Sequence, residues 1–419
     1  MNSVLVIGGG GREHAICHSL SKSPKVDKIY CLPGNAGISE IAECAPVSAT
    51  DFDGILAFIK AHDDIKMTVV APDDPLALGL VDLLESNGYR AFGPRKNAAI
   101  IEASKAFSKA LMKKYGIPTA AYEEFVDVDK AKEYAKKQSY PLVVKADGLA
   151  LGKGVIICQN VEEAMTALDE MMVGKKFKDA GNKVIIEEFM VGKEVSILSF
   201  TDGKTIVPMV SSQDHKRAHD NDEGLNTGGM GTFSPSKAYT KEHEKETMEK
   251  IILPTMHAMN AEGRTFKGVL YFGLMITDKG VKVVEYNARF GDPETQVVLP
   301  RLKTDLYEIF DAIIDERLSD INIEWDDSAA VCVIIASGGY PESYKKGVPI
   351  TIGDLDKDIV LYHAGTAFKD GRLVTSGGRV IGVTAKGKDI DEARAKAYAN
   401  VDKVAFEGAF YRRDIGIKK

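Results

Sequence analysis

A carboxylate, an amide and a guanidinium stand two residues apart in Val281-Lys-Val-Val-Glu285-Tyr-Asn287-Ala-Arg289-Phe-Gly-Asp292-Pro-Glu294-Thr-Gln296. In an extended strand, side chains at i and i+2 share a face and lie roughly 6–7 Å apart along it. Val281, Val283, Glu285, Asn287 and Arg289 are therefore expected on one face that begins apolar and ends polar. A hard cation such as Mg²⁺ takes oxygen ligands and keeps water and substrate phosphates around it. A Glu and an Asn beside one ion, with an Arg beyond for an anion, suit a metal-assisted reaction on phosphate. The bland alternative is a strand end with ordinary surface charges, and other stretches of the chain weigh against it.

Gly8-Gly-Gly10-Gly11-Arg12-Glu13 has the first two glycines of a dinucleotide fingerprint. Glu13 occupies the third position, and the next strand ends in Leu32-Pro33 without an acidic residue for a ribose, which argues against NAD. Backbone N–H groups before a helix still suit an anion, and Arg12 adds charge, so a bound phosphate is expected rather than an empty turn. Lys145-Ala-Asp147-Gly148-Leu-Ala-Leu151-Gly152-Lys153-Gly154 departs from the P-loop pattern, because Gly154 stands where Ser or Thr should. With strands on both sides it reads as a flap over nucleotide phosphates, the alternative being a plain hairpin tip. Val184 to Met190, with Glu194, resembles a strap between domains that could hold adenosine. Asp214 to Arg217 and Asn226-Thr227-Gly228-Gly229-Met230-Gly231 form a polar, glycine-rich stretch of the kind that is functional or disordered. His14 with His18, and His215 with His219, have helical metal spacing, but lacking a third ligand they read as surface histidines. Ser376-Gly-Gly378-Arg379 fits an anion site and a strand-connecting turn equally well.

Alternating strands and helices must position these groups. Val4–Ile7, Lys28–Leu32 and Met67–Val70 are expected strands that close on Gly, Pro, Asn or Asp, with helices between them at 13–21 and 52–62. That rhythm indicates a parallel α/β sheet, with ligands beyond the carboxyl ends of its strands. One long helix is expected over Asn97–Tyr115, then a small antiparallel α+β unit with a helix at 161–172. Beyond it come a hairpin turned at Asp202-Gly203, a helix over 241–262, and Gly268–Thr277 paired with Val281–Asn287. A last block opens with a strand at 329–336 and ends with a helix over 390–406. The expected domains are 1–103 (N-terminal α/β), 104–192 (linker helix and flap), 193–327 (central) and 328–419 (C-terminal).

The bulk properties bound the function. With 419 residues, 44% of them hydrophobic and 27% charged, the composition is that of a soluble globular protein of several domains. A net charge of −7 argues against nucleic acid as the partner, and no apolar run reaches membrane-spanning length. Five scattered cysteines without a CxxC suit a reducing compartment, so a cytoplasmic protein is expected. Met1 leads straight into a strand, which reads as structure rather than as a signal peptide.

Together the tetraglycine stretch, the Lys145–Gly154 loop, Asn226–Gly231 and the strand from Glu285 to Gln296 resemble phosphoribosylamine–glycine ligase, also called glycinamide ribonucleotide synthetase. This is a family of ATP-grasp enzymes of de novo purine synthesis. The resemblance runs in order along nearly the whole chain, through Tyr411-Arg-Arg-Asp-Ile-Gly416. Leu151 stands where the family often has Ala, and Leu225 where Pro is usual. The implied fold is α/β and α+β multidomain: an ATP-grasp core behind an N-terminal parallel α/β domain, a small flap and a C-terminal α+β domain. The implied reaction joins glycine to 5-phosphoribosylamine through glycyl phosphate, releasing ADP and phosphate. ATP and Mg²⁺ or Mn²⁺ are the implied cofactors, and a monomer acting on small molecules is expected. By the same resemblance, Glu285 and Asn287 hold the metal. Lys105, Lys145, Gly148, Gly152, Lys153 and Gly154 contact phosphates, and Glu187, Glu188, Phe189 and Glu194 hold adenosine. Arg289, Asp214, Asn226, Thr227, Gly228, Gly229 and Met230 serve glycine and the acyl phosphate, with Arg289, Asp214 and Lys145 closest to the chemistry. Gly10, Gly11, Asn35 and Asp73 face the phosphoribosyl group. The rivals are another ATP-grasp ligase or carboxylase, a nucleotide-binding protein without catalysis, and, more remotely, a dehydrogenase.

Overall fold

The computed structural model describes residues 1–148, 154–174 and 178–417, with no side-chain account of Lys178 and Asp179. The N-terminal sheet contains β1 (Ser3–Gly8), β2 (Lys28–Pro33), β3 (Glu43–Cys44), β4 (Ile65–Val70) and β5 (Ala91–Phe92). Its order is β3-β2-β1-β4-β5 and all its pairings are parallel, as the alternating pattern predicts. All of β1 is buried, which is why it reads as an uninterrupted apolar run. The strands' carboxyl ends gather Gly8–Gly11, Pro33–Asn35 and Ala71–Asp74 at one edge. The turn after β1 is tight: Gly8 has φ +122°, and a Cβ on Gly9 would lie 2.4 Å from the Gly34 carbonyl oxygen.

The long helix expected over 97–115 is two helices, Lys96–Ala103 and Lys105–Tyr115. Ser104 breaks it. Its backbone is extended, and its hydroxyl caps the second helix by accepting from Phe107 N–H, the competition that makes serine a good helix start. The Ser104 hydroxyl also donates to Asp147, which accepts from Ala106 N–H as well and ties the helix to the flap. The flap sheet comprises β6 (Tyr122–Phe125), β7 (Leu142–Ala146), β8 (Val155–Cys158) and β9 (Val184–Glu188), antiparallel in the order β6-β9-β7-β8. Its helix is α-helical over Val161–Leu168 and continues as a wider π turn to Val173.

The central sheet is β11-β10-β16-β17, made of β10 (Lys193–Thr201), β11 (Ile206–Pro208), β16 (Gly268–Thr277) and β17 (Gly280–Asn287). Between β11 and β16 lie β12 (Gln213–Asp214), β13 (Arg217–His219), β14 (Glu223–Asn226) and β15 (Gly231–Ser234), with β13 and β14 paired as a hairpin. The helix expected over 241–262 reaches Ala261 but contains a π turn at Met248–Ile252, just before Pro254.

β12 and β15 join the C-terminal strands β18 (Ala329–Ala336), β20 (Ile359–His363) and β23 (Arg379–Gly387) in the order β12-β15-β18-β23-β20. One sheet thus crosses the boundary expected at 327/328. The remaining C-terminal strands are β19 (Thr351–Ile352) with β24 (Val404–Ala405), and β21 (Thr366–Lys369) with β22 (Arg372–Thr375). The last helix stops at Val401, short of the expected 406, because β24 pairs with β19.

Packing separates the flap from the rest. One core joins N-terminal residues such as Leu5 and Ile7 to Phe272 and Val283 of the central sheet. Another joins Val4 and Ile16 to Phe290 and to Cys332 of β18. Among the described residues, the buried core of the flap draws on positions between Ala131 and Ile186 and on no other part of the chain.

Candidate functional site

The expected polar strand is β17, and it reaches the site by an irregularity. Leu274 of β16 pairs with Val283, but the next residue back, Gly273, pairs with Glu285, so Val284 is an extra residue in the strand. A β-bulge of this kind reverses the facing of everything after it. Val281 and Val283 point into the core, as do Tyr286 and Ala288 beyond the bulge. Glu285, Asn287 and Arg289 consequently turn to the opposite side, into the cleft. The expectation that Val281, Val283, Glu285, Asn287 and Arg289 share one face is corrected by this extra residue. Gly273 makes room for it, since a Cβ there would lie 3.0 Å from Glu285 Cγ.

The cleft has a volume of about 1030 Å³ and is walled by the N-terminal sheet edge, flap, central sheet and C-terminal block. At its centre Lys216 Nζ lies 2.9 Å from Glu194 and 3.5 Å from Glu285. Lys216 holds the Glu285 carboxyl below its ordinary range, against the burial that would raise it. Burial disfavours the Lys216 charge in turn, but Glu194, Glu285 and Asp214 outweigh it and hold its pKa well above normal. Asp214 has the opposite balance. Burial, together with Glu294, Glu194 and Glu285, raises its pKa in spite of Lys216. Glu294 is itself buried, and accepts from Tyr271 Oη at 3.0 Å and from Ser196 Oγ at 3.2 Å.

Glu285 and Asn287 present two oxygen donors on one face. No cluster of three or more His, Cys, Asp or Glu able to hold a metal exists among the described residues. The set therefore fits a hard cation that takes its remaining ligands from water and phosphate, and does not fit a closed protein-only site.

Beside these donors a basic pocket surrounds one buried carboxylate. Glu187 Oε2 lies 2.9 Å from Lys145 Nζ and 3.2 Å from Lys109 Nζ, while Glu187 Oε1 is buried without a hydrogen-bond partner. Burial pushes Lys109 down to about 8 despite Glu187. Lys105 Nζ donates to the Gly148 carbonyl at 2.7 Å, linking the second linker helix to the flap loop. Glu188 turns outward, 3.0 Å from Lys282, and Phe189 is 37% exposed at the rim.

At the other end each arginine already has an acidic neighbour. Arg289 Nη2 lies 3.0 Å from Glu102 and 3.9 Å from Asp73, and its Nε is buried without an acceptor. Arg12 Nε lies 2.6 Å from Glu13. Arg379 reaches from β23 to Asp292 at 3.2 Å and donates to the carbonyls of Gly228 (2.6 Å) and Asp292 (2.8 Å). Tyr340 Oη accepts from Gly228 N–H at 3.0 Å.

Of the residues expected at the site, the cleft lining brings together Asp73, Lys105, Lys145, Gly148, Gly154, Glu187, Glu188, Phe189, Glu194, Asp214, Asn226, Thr227, Gly228, Glu285, Asn287 and Arg289. Leu151, Gly152 and Lys153 lie outside the described residues. Met230 is fully buried, and Gly229 packs on Pro293. Gly10 N–H donates to Glu13 Oε2 at 2.6 Å, and Gly11 sits against the Gln296 amide. Asn35 donates to the carbonyls of Gly9 and His363 and accepts from Ile38 N–H, which commits its amide to the scaffold. Sequence reasoning gave no role to Glu102, Lys109, Tyr271 and Tyr340, left Lys216, Asp292 and Glu294 without one inside stretches it singled out, and left Arg379 open between an anion site and a turn. Lys109 lies four residues after Lys105, a spacing that places both on one helix face and could have marked it. Glu102 carries no such local signal, whereas Arg379 stands in a Ser-Gly-Gly-Arg turn that already suited an anion.

Comparison with known proteins gives a consistent result across the chain. Residues 2–102 match the N domain of the family described as phosphoribosylglycinamide synthetase, residues 103–295 its ATP-grasp (A) domain, and residues 330–418 its C domain. A phosphoribosylamine–glycine ligase of Caldanaerobacter subterraneus subsp. tengcongensis is 50% identical, over 98% of this chain and 99% of that protein. One from Halalkalibacterium halodurans is 47% identical, over 99% of this chain and 97% of that protein. The crystal structure of phosphoribosylamine–glycine ligase from Thermotoga maritima superimposes with a TM-score of 0.85 at 36% identity, covering 98% of this chain and 99% of that one. Biotin carboxylase from Campylobacter jejuni shares the fold at a TM-score of 0.75 and 13% identity, over 98% of this chain and 93% of that one.

Proposed function

This chain belongs to the phosphoribosylglycinamide synthetase family, and from that premise we propose how its own cleft works. It is an ATP-grasp ligase that forms a carbon–nitrogen bond, joining glycine to 5-phosphoribosylamine in purine biosynthesis. ATP is consumed and a divalent metal assists.

A carboxylate acylates an amine poorly, so a glycine carboxylate oxygen first attacks the γ-phosphorus of ATP. The bond from γ-phosphorus to the ADP oxygen breaks, leaving glycyl phosphate. The sugar amine then attacks the carbonyl carbon, phosphate departs, and the nitrogen loses a proton. Positioning and charge neutralisation supply most of the acceleration in such steps. Lys105 and Lys145, with Gly148 and Gly154 of the flap loop, would hold the phosphates. Gly152 and Lys153 are proposed for the same loop. Glu187 offers its free Oε1, and Glu188, Phe189 and Glu194 border the adenosine. Glu285 and Asn287 would hold Mg²⁺, or Mn²⁺ in its place, and the ion would draw charge from phosphate oxygens. Arg289 and Asp214, with the wall Asn226–Gly228 backed by Gly229 and Met230, would serve glycine and the acyl phosphate. Asp73, at the edge of the sheet that also carries Gly10, Gly11 and Asn35, would face the phosphoribosyl group.

The observation that carries this reading is the meeting of Lys145, Glu285 and Arg289, one from the flap and two from β17 and its end, in a single cleft. We further propose a monomer, and a cytoplasmic setting, which the five free cysteines suit. No described helix is long and apolar enough to cross a membrane. The test is ADP release from Mg²⁺-ATP with glycine and fresh phosphoribosylamine, singly and together. Release that requires both, with glycinamide ribonucleotide in the mixture, is expected. Release driven by bicarbonate without glycine would overturn the assignment.

A further inference from the structure

The closing Tyr411-Arg412-Arg413-Asp414-Ile415-Gly416 has no part in the chemistry above, yet Asp414 and Gly416 line the cleft. The Arg412 side chain is completely buried. Its Nε and Nη2 donate to the two carboxylate oxygens of Asp414 at 2.8 and 2.7 Å. Nη2 also donates to Asp222 at 2.9 Å, and Nη1 to the Arg217 carbonyl at 3.1 Å. The backbone adds to the grip: Arg413 N–H donates to Asp220 at 2.7 Å, and Asn221 N–H to Asp414 at 2.9 Å. Asn221 and Asp222 both have left-handed backbones (φ 60° and 58°), a conformation that Asn and Asp tolerate better than other side-chain-bearing residues and that suits the tight turn between β13 and β14.

The gripped segment belongs to the hairpin β13–β14, whose two ends face the cleft. At one end Lys216 reaches Glu194 and Glu285, and its carbonyl accepts from Thr227 N–H at 2.7 Å. At the other end stand Asn226, Thr227 and Gly228. Arg412 therefore fixes the carbonyl of the residue that follows Lys216, while Thr227 fixes that of Lys216 itself.

We propose that Arg412 is a positioning residue for the ligation: it latches the β13–β14 hairpin from behind, so that Lys216 and the 226–228 wall stay closed over glycine and its acyl phosphate. This rests on the function proposed above. The planar guanidinium makes the latch specific, because an ammonium cannot bond both Asp414 oxygens, Asp222 and a carbonyl in one plane. When the latch loosens, water reaches glycyl phosphate. Water then attacks the carbonyl carbon, the bond to the phosphate oxygen breaks, and glycine and phosphate return after ATP has been spent.

The experiment measures ADP released per glycinamide ribonucleotide formed, together with the glycine KM, for the full chain and for Arg412→Gln, Arg412→Lys, Asp222→Asn and Arg413→Gln. Thermal unfolding of each variant reports folding. A ratio near one is expected for the unaltered chain and for Arg413→Gln, whose side chain is exposed. Arg412→Gln and Asp222→Asn should raise the ratio to about two or more and the glycine KM about tenfold, with Arg412→Lys between. A merely structural role would lower both products together and leave ratio and KM unchanged. That result in folded Arg412→Gln and Asp222→Asn would overturn the proposal. Asp222 is half exposed, so if Arg412→Gln does not fold, Asp222→Asn decides. No product from the unaltered chain would instead sink the function itself.

Discussion

Glu285 keeps its charge in a half-buried position because Lys216 stands 3.5 Å away, and that charge is what a divalent ion requires. Glu285→Gln keeps size and hydrogen bonding while removing the charge. Turnover should fall by about two to three orders of magnitude, the usual loss of a group that stabilises developing charge. The unfolding midpoint should move little. Wild-type turnover with intact Mg²⁺ dependence would remove Glu285 from the metal site. The donors were legible in the sequence because i and i+2 spacing along a strand is a local property. Lys109 was legible only in part: its spacing from Lys105 marks a shared helix face, but its burial follows from Glu187, which another part of the chain supplies. Glu102 escaped for the same reason, since its partner Arg289 lies far away in the chain, and Arg379, open between an anion site and a turn in the sequence, is placed only by the distant Asp292.

Among the elements, β17 shows what periodicity alone misses. The alternation Val281, Val283, Glu285 looks regular, and nothing in the residue types betrays the extra residue at Val284. The bulge depends on the partner strand, where Gly273 leaves space for the Glu285 stem. Gly273→Ala should push Glu285 out of line, lowering kcat by about tenfold at a stability cost of about 1 kcal/mol. Unchanged kcat in the Ala variant would show that the bulge has room to spare. The parallel sheet was legible because its strands are buried on both faces and punctuated by Gly and Pro. The break at Ser104 was not, because its cap matters through Asp147 of the flap. Among the described residues the flap has a buried core of its own while the other blocks share their packing, an arrangement that would let it move as a unit.

Across the whole molecule, the first helix and the last sheet meet through histidines. His363 N–H donates to His14 Nδ1 at 2.9 Å, a bond that a protonated imidazole cannot accept. Burial, with His363 and His18 beside it, pushes His14 down to about 3, and burial pushes His363 down to about 4. The unfolded chain therefore takes up protons first as pH falls below about 6.5, and stability is lost from there downward. Unfolding by urea should show about 1 kcal/mol lost per pH unit for each such histidine between about pH 6 and 4.5. His14→Gln, which retains an acceptor, should flatten that slope. An identical slope would mean that this contact does not sense the proton. The same long-range pairing governs how substrates arrive. Arg12, Arg289, Arg379, Lys145 and Lys216 each already contact a carboxylate of the chain, on a molecule whose net charge is −7. The cleft thus projects little attractive field into solution. Anionic substrates should therefore gain little from long-range attraction, and their rate of encounter should depend only weakly on ionic strength.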